Sequence, residues 1–182
     1  MNTDDFCLGC MRENIRSEIC PYCGWVKANA AGSALFLSPG TILKGRYLIG
    51  RVLGYGGFGI IYLAFDLSLH IKLAIKEYLP QSLATRALGN TTVSVYSGEA
   101  KGRFAAGLEK FVSEARMLAK FNPYHCIVSV YGFFKTNGTA YMVMEYVEGI
   151  TFHEYLDRNG GKIDFNTALT LMTPVMEALR EV

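Results

Sequence analysis

Four cysteines fall within the first 23 residues, as Cys7-Leu-Gly-Cys10 and, nine residues later, Cys20-Pro-Tyr-Cys23. Each C-x2-C pair closes a tight turn that aims two sulfurs at one point. Two such pairs supply the tetrahedral thiolate set that zinc accepts. Gly9 and Gly24 stand where such knuckle turns need a permissive backbone. Disulfide or redox use is the competing reading; two pairs and no βαβ context weigh against redox chemistry. About 25 residues bury too little surface to fold alone, so the metal is expected to supply most of this segment's folding energy. Four thiolates leave no open coordination position, which makes the role structural.

A second set of residues has phosphate chemistry within reach. Gly54-Tyr-Gly56-Gly57-Phe58-Gly59 lies between two apolar β-type runs. By itself this is as good a turn as a phosphate loop. A strand rather than a helix follows it, which excludes a dinucleotide-binding turn, and no Gly-Lys-Ser/Thr follows, which excludes a P-loop. Fifteen residues after Ile61 comes Leu73-Ala74-Ile75-Lys76. Farther on, Phe111-Val-Ser-Glu114 puts a carboxylate beside the apolar stripe of a helix, with Glu109 as its competitor for the lysine. Taken alone, Lys76 and Glu114 read equally well as a surface ion pair, and Ile61, Ala74 and Met144 as sheet core.

The elements that must position these groups follow from periodicity. Residues 1–27 form the cysteine module, and residues 28–42, rich in small residues, form a linker. Tyr47–Leu53, Gly59–Phe65 and Lys72–Lys76 read as strands, Phe104–Phe121 as a helix, and Cys126–Phe134 and Thr139–Tyr146 as a hairpin turned by Lys-Thr-Asn-Gly. Phe152–Arg158 reads as a short helix. Asp164 caps a last one, which carries Leu169, Met172, Met176 and Leu179 on one face and is interrupted by Pro174. Thr91–Tyr96 alternates as an extra β segment without an evident chemical role. Cys126 is expected to be a buried thiol. The fold class is α+β.

The chain has 182 residues, 51% of them apolar and 19% charged, with a net charge of +2. Arg12, Arg16 and Lys27 face four acids in the cysteine module, so no nucleic-acid partner is expected. No apolar run reaches the roughly 18 residues of a membrane helix, and the N-terminus lacks a secretory h-region. A cytoplasmic location is the expectation.

The motifs in register resemble those of protein kinases: G-x-G-x-x-G with Ile61 in the following apolar place, Ala74-Ile75-Lys76, Glu114 on the next helix, and Tyr141-Met-Val-Met144-Glu145-Tyr146-Val147 as fifth strand and hinge. Residues 43–182 resemble the N-terminal part of bacterial serine/threonine kinases, and the phrases GGFGIIYLAFD and AIKEYLP resemble a group that carries an N-terminal zinc ribbon. The resemblance implies a kinase N-lobe over 43–150, an antiparallel five-stranded sheet plus one helix, with the first C-lobe helices over 151–182. It implies ATP as ligand, with Gly54, Gly56, Gly57, Phe58 and Gly59 over the phosphates and Lys76 held by Glu114 at the α- and β-phosphates. Ile61 and Ala74 would sandwich adenine. The backbones of Glu145 and Val147 would meet its edge, and Met144 would set the pocket depth. A protein substrate and magnesium are implied as well. His-Arg-Asp and Asp-Phe-Gly, which carry the catalytic base and a magnesium ligand, do not occur in these residues. The chain alone is therefore expected to be inactive; a non-catalytic adaptor is the other reading.

Overall fold

The computed structural model describes residues 5–12, 17–27, 35–121 and 126–181. The readings placed on Arg16 and on residues 28–34 lie outside the described residues. In chain order the elements are β1 (Ile42–Leu43), β2 (Tyr47–Gly56), β3 (Gly59–Asp66), β4 (Ile71–Tyr78), β5 (Ala84–Arg86), β6 (Val93–Val95), α1 (Glu99–Leu118), β7 (Val130–Thr136), β8 (Thr139–Glu145), α2 (Phe152–Arg158) and α3 (Phe165–Glu181). Six strands make one antiparallel sheet in the order β1-β2-β3-β4-β8-β7, and β5 and β6 form a separate hairpin. The sheet has one strand more than the five expected, because β1 pairs through only two residues and leaves no periodic signal.

Local chemistry explains the well-defined ends. Asn137 and Gly138, both at positive φ (55° and 74°), make the two-residue turn between β7 and β8, a conformation that matches the twist of the strands it joins. Thr151 and Glu154 cap α2 reciprocally, and the Asp164 carboxylate accepts from the Thr167 N–H at 3.0 Å at the start of α3. The helix runs through Pro174, whose ring removes the N–H that would bond the Thr170 carbonyl.

Two boundaries differ most from the expectation. Helix α1 begins at Glu99, five residues before Phe104, after Gly98 at φ 72°. Strand β7 begins at Val130, where its pairing with Met144 starts. Of the described residues just before it, Ser129 reaches β8 through its carbonyl, while Val128 is 42% exposed and Cys126 is exposed rather than buried.

The alternation of strands β3 and β4 divides the sheet into two faces. Ile60, Tyr62, Ala64, Leu73, Ile75 and Glu77 point to one, and Ile61, Leu63, Phe65, Lys72, Ala74 and Lys76 to the other. The first face is covered by Leu37, Ala84 and Val93, from the end of the linker and the β5–β6 hairpin. The second face is covered at both ends. At one end Phe104 and Phe111 of α1 pack on Tyr78, with ring centroids 5.0 and 5.7 Å away. At the other end the cysteine module docks: Phe6 and Met11 join Leu48, Leu63 and Phe65 in a second apolar cluster, and the Phe6 and Phe65 rings lie 4.7 Å apart. The Arg51 backbone N–H donates to the Leu8 carbonyl at 2.9 Å and its Nε to the Gly9 carbonyl at 2.8 Å. The module is thus packed onto the sheet and does not hang free on a tether.

The turn after β3 is held by a buried carboxylate. Asp66, 1% exposed, accepts from Arg46 Nε at 3.0 Å and Nη2 at 2.7 Å, and from the N–H groups of Ser68 and Leu69. Burial opposes its charge, but Arg46 and the two amides outweigh burial and hold the carboxyl below its ordinary value of 3.8. A carboxyl depressed in the folded state contributes stability above its unfolded value, and that stability is lost as pH falls through the folded one. Asp66→Asn is therefore expected to lower the urea midpoint at about pH 7 and to lower it less at about pH 3, below the unfolded value. An equal penalty at both pH values would refute the charge as its cause.

Candidate functional site

The glycine run is the tight end of the β2–β3 hairpin. Gly56 pairs with Gly59, leaving Gly57 and Phe58 as the two-residue tip, and Phe58 is 81% exposed. The glycines differ in what requires them. A Cβ at Gly59 would lie 2.0 Å from the Glu77 carbonyl, so close strand packing excludes any side chain there. At Gly54, Gly56 and Gly57 a Cβ would meet nothing within 4 Å. The fold does not need glycine at these three positions, but a ligand brought against the backbone would.

Lys76 stands opposite Ile61 in the β3–β4 ladder, and Ala74 stands opposite Met144 in the β4–β8 ladder. Lys76 Nζ donates to Glu114 Oε1 at 3.2 Å and sits 5.6 Å above the Phe111 ring. The competitor Glu109 is engaged elsewhere, with Lys135 at 2.5 Å. Gly57, Phe58, Lys76 and Glu114 share one cavity of ≈ 750 Å³, which also takes in Arg103 and Lys110 of α1. Those two cations were not singled out in the sequence; the signal is their spacing of seven with Glu114 four further on, which puts all three on one helix face. With Lys76 they give the cavity three cations against one carboxylate, an arrangement suited to an anionic ligand.

At the hinge end, Met144 and Glu145 are half-buried and Val147 is 62% exposed. The Glu145 N–H donates to the Ser129 carbonyl at 2.9 Å. Lys72, at the start of β4, bonds Glu148 at 2.5 Å and ties that strand to the segment after β8.

The four cysteines converge. Their sulfurs all lie within 4.8 Å of one another, with Cys7–Cys23 at 3.6 Å and Cys10–Cys20 at 3.9 Å. Tetrahedral zinc with Zn–S of about 2.3 Å sets sulfurs about 3.8 Å apart, so the set fits that ion. Both knuckles close alike: Cys7 N–H donates to the Arg12 carbonyl, and Cys20 N–H to the Trp25 carbonyl, each five residues on. Gly24 has the positive φ (70°) expected of such a turn. Gly9 does not; it is glycine because a Cβ would lie 2.5 Å from Trp25. Without an ion Cys7 is held as a neutral thiol: burial first, then the Cys20 thiol, push it up to about 12. A divalent cation reverses this by holding the coordinating thiol deprotonated. A second cavity of ≈ 580 Å³ lies between this module and the hinge, lined by Arg12, Trp25, Arg51, Lys72, Tyr146 and Glu148 among others.

Comparison with known proteins agrees with this geometry. The family description "Protein kinase domain" matches residues 47–182. Among curated proteins, the serine/threonine-protein kinase PrkC of Bacillus subtilis is 31% identical over 140 residues, 77% of this chain and 18% of its own length. PknG of Mycobacterium leprae is 27% identical, covering 96% of this chain and 22% of its own length. The solved apo form of PpkA-294 is 35% identical with a TM-score of 0.72, over 79% of this chain and 50% of that one. The chain belongs to the protein kinase family. It spans about a fifth of the length of these two curated relatives.

Proposed function

We propose that the chain forms the ATP-binding lobe of a protein serine/threonine kinase. The observation that carries this reading is the Lys76–Glu114 bond beside a glycine hairpin whose tip leaves open space where side chains would otherwise stand. In this reading Gly54, Gly56, Gly57 and Gly59 let backbone amides approach the phosphates and Phe58 covers them. Lys76 places its charge on the α- and β-phosphates, held there by Glu114. Ile61 and Ala74 hold adenine from above, the backbones of Glu145 and Val147 bond its edge, and Met144 closes the back of the pocket. Magnesium would be bound through the ATP phosphates and residues that these 182 do not include. Cys7, Cys10, Cys20 and Cys23 would hold a structural zinc ion, in keeping with a reducing cytoplasm. These residues alone are expected to bind nucleotide but not to transfer phosphate, because the base and metal ligands of the reaction are not among them.

The gene decides between this reading and a non-catalytic adaptor. Codons after Val182 are expected to encode His-Arg-Asp within about ten residues and Asp-Phe-Gly beyond it. The extended protein should then phosphorylate serine or threonine from Mg-ATP. A stop codon in their place, or an extended protein without transfer activity, would favour the adaptor.

A further inference from the structure

The segment between β4 and α1 lends Pro80, Ser82 and Leu83 to the wall of the cavity described above, and it also places one side chain directly behind the lysine strand. Arg86 lies on β5, and Glu77 follows Lys76 on β4 with its side chain on the opposite face of the sheet. Both side chains are fully buried, at 0% exposure each. The Arg86 guanidinium donates to both Glu77 oxygens, from Nη1 to Oε2 at 3.1 Å and from Nη2 to Oε1. Its Nε donates to the Thr91 carbonyl at 3.1 Å and its Nη1 to the Leu35 carbonyl at 2.8 Å. Tyr62 donates its hydroxyl to Glu77 Oε2 at 2.8 Å and accepts the Leu37 N–H at 3.1 Å. One guanidinium thus joins β4, the β5–β6 hairpin and the chain that leads in from the cysteine module.

We propose that Arg86 is a positioning residue for Lys76: through Glu77 it fixes strand β4 from the face opposite the nucleotide, and so sets where Nζ meets the phosphates. The proposal rests on the reading of Lys76 as a phosphate ligand. On its own face, among the described residues, Lys76 has the Phe111 ring and one ion partner, Glu114, which is 45% exposed, and such a pair holds a lysine loosely. Phosphate recognition by a point charge needs placement to about 0.5 Å, which a half-solvated ion pair does not impose on a strand. The bonds behind the strand do impose it, being directional and shielded from water. Stability alone does not explain the pair, since apolar residues of the same volume fill such a place at least as well. What they lack is the fork that ties three segments to one carboxylate. Burial first, and the Glu77 charge next, push Tyr62 and Tyr141 above the ordinary phenol range, so both remain neutral beside it.

The test uses an acyl-phosphate derivative of ATP on the 182-residue chain. Lysine Nζ, deprotonated, attacks the acyl carbon, an amide forms, the acyl–oxygen bond to phosphate breaks, ATP leaves, and the two protons the ammonium group loses go to solvent. Peptide mass spectrometry reads the rate at Lys76 against Lys120 in the same sample. Glu77→Leu with Arg86→Met is expected to leave the chain folded, with a melting temperature lowered by the bonds that Tyr62, Thr91 and Leu35 lose, while labelling Lys76 about tenfold more slowly, because small displacements of a reacting group cost rate steeply. Arg86→Lys keeps the charge but loses the fork; it should fall about threefold, and it carries the test with Tyr62→Phe if the double variant does not fold. A folded double variant, or failing that folded Arg86→Lys and Tyr62→Phe, labelled at the unsubstituted rate overturns the positioning role. Absence of ATP-competed labelling at Lys76 in the unsubstituted chain overturns the nucleotide reading itself, and this proposal with it.

Discussion

Removing the proposed zinc ion from the four cysteines is expected to unfold the module they hold and to lower the melting temperature of the lobe as well. The first effect follows from size. A module of this length has little core of its own, and structural zinc supplies about 10–16 kcal/mol of apparent binding energy to comparable sites. Without the ion, the four sulfurs confront one another within 4.8 Å, with burial working against the charge on Cys7. The second effect follows from docking. Leu48, Leu63 and Phe65 are 0%, 1% and 8% exposed, and Phe6 and Met11 of the module are part of what covers them. A large apolar side chain is worth about 1.5–3 kcal/mol when fully buried, so even partial uncovering of three costs the lobe a few kcal/mol. For a domain of this size each kcal/mol lowers the melting temperature by about 2–4 °C. Calorimetry with and without a zinc chelator, repeated on Cys20→Ser, reads both effects, and added zinc should reverse only the first treatment. A lobe transition unmoved by the chelator, with amide protection intact over residues 5–27, would show that the thiols need no ion.

That second effect marks the limit of what the sequence makes legible. Features governed by neighbours along the chain could be read directly. Asn137-Gly138 announces its turn because few other pairs accept two positive φ angles, and Asp164 announces a helix start because its oxygen reaches an amide three residues on. The pairing of Lys76 with Glu114 was legible for a different reason: four motifs stood in register, and the register, not any single residue, carried it. Contacts made across the fold left no such trace. Phe6 meets Phe65 fifty-nine residues away, and nothing in either neighbourhood specifies the other. Arg86 reads as an ordinary loop cation until the hairpin that carries it folds back over Glu77. Cys126 misled because an apolar run is buried only where the strand has a partner, and pairing starts four residues later. The apolar face of α3 was legible as a pattern, yet Leu169, Met172, Met176 and Leu179 are 42–70% exposed, so the pattern named a face without naming what covers it.

In the kinase proposed above, extended beyond Val182, Lys76→Met is expected to lower phosphoryl transfer by about 10²–10³ and to leave the melting temperature nearly unchanged. The two halves of this expectation have separate causes. Stability should hardly move because the side chains of Lys76 and Glu114 are 28% and 45% exposed. Exposed pairs contribute no more than about 1 kcal/mol, and methionine keeps most of the lysine stem packed over Phe111. Activity should fall because a fixed charge aimed at the phosphates acts where charge develops in the transition state, and deleting one such contact costs about 2.7–4 kcal/mol of barrier. Glu114→Gln separates placement from charge. It retains Lys76 but exchanges a charged acceptor for a neutral amide, so a loss of about tenfold is expected, since charge-assisted bonds are roughly twice as strong as neutral ones. Glu109→Gln is the internal control: its carboxylate bonds Lys135 on the exposed side of the helix, and its removal should leave transfer unchanged. Steady-state transfer with Mg-ATP, measured beside calorimetry on the same preparations, resolves the three variants. Equal losses for Glu109→Gln and Glu114→Gln, or a Lys76→Met protein that transfers phosphate at the unsubstituted rate, would remove Lys76 and Glu114 from the chemistry and return them to the status of a surface ion pair.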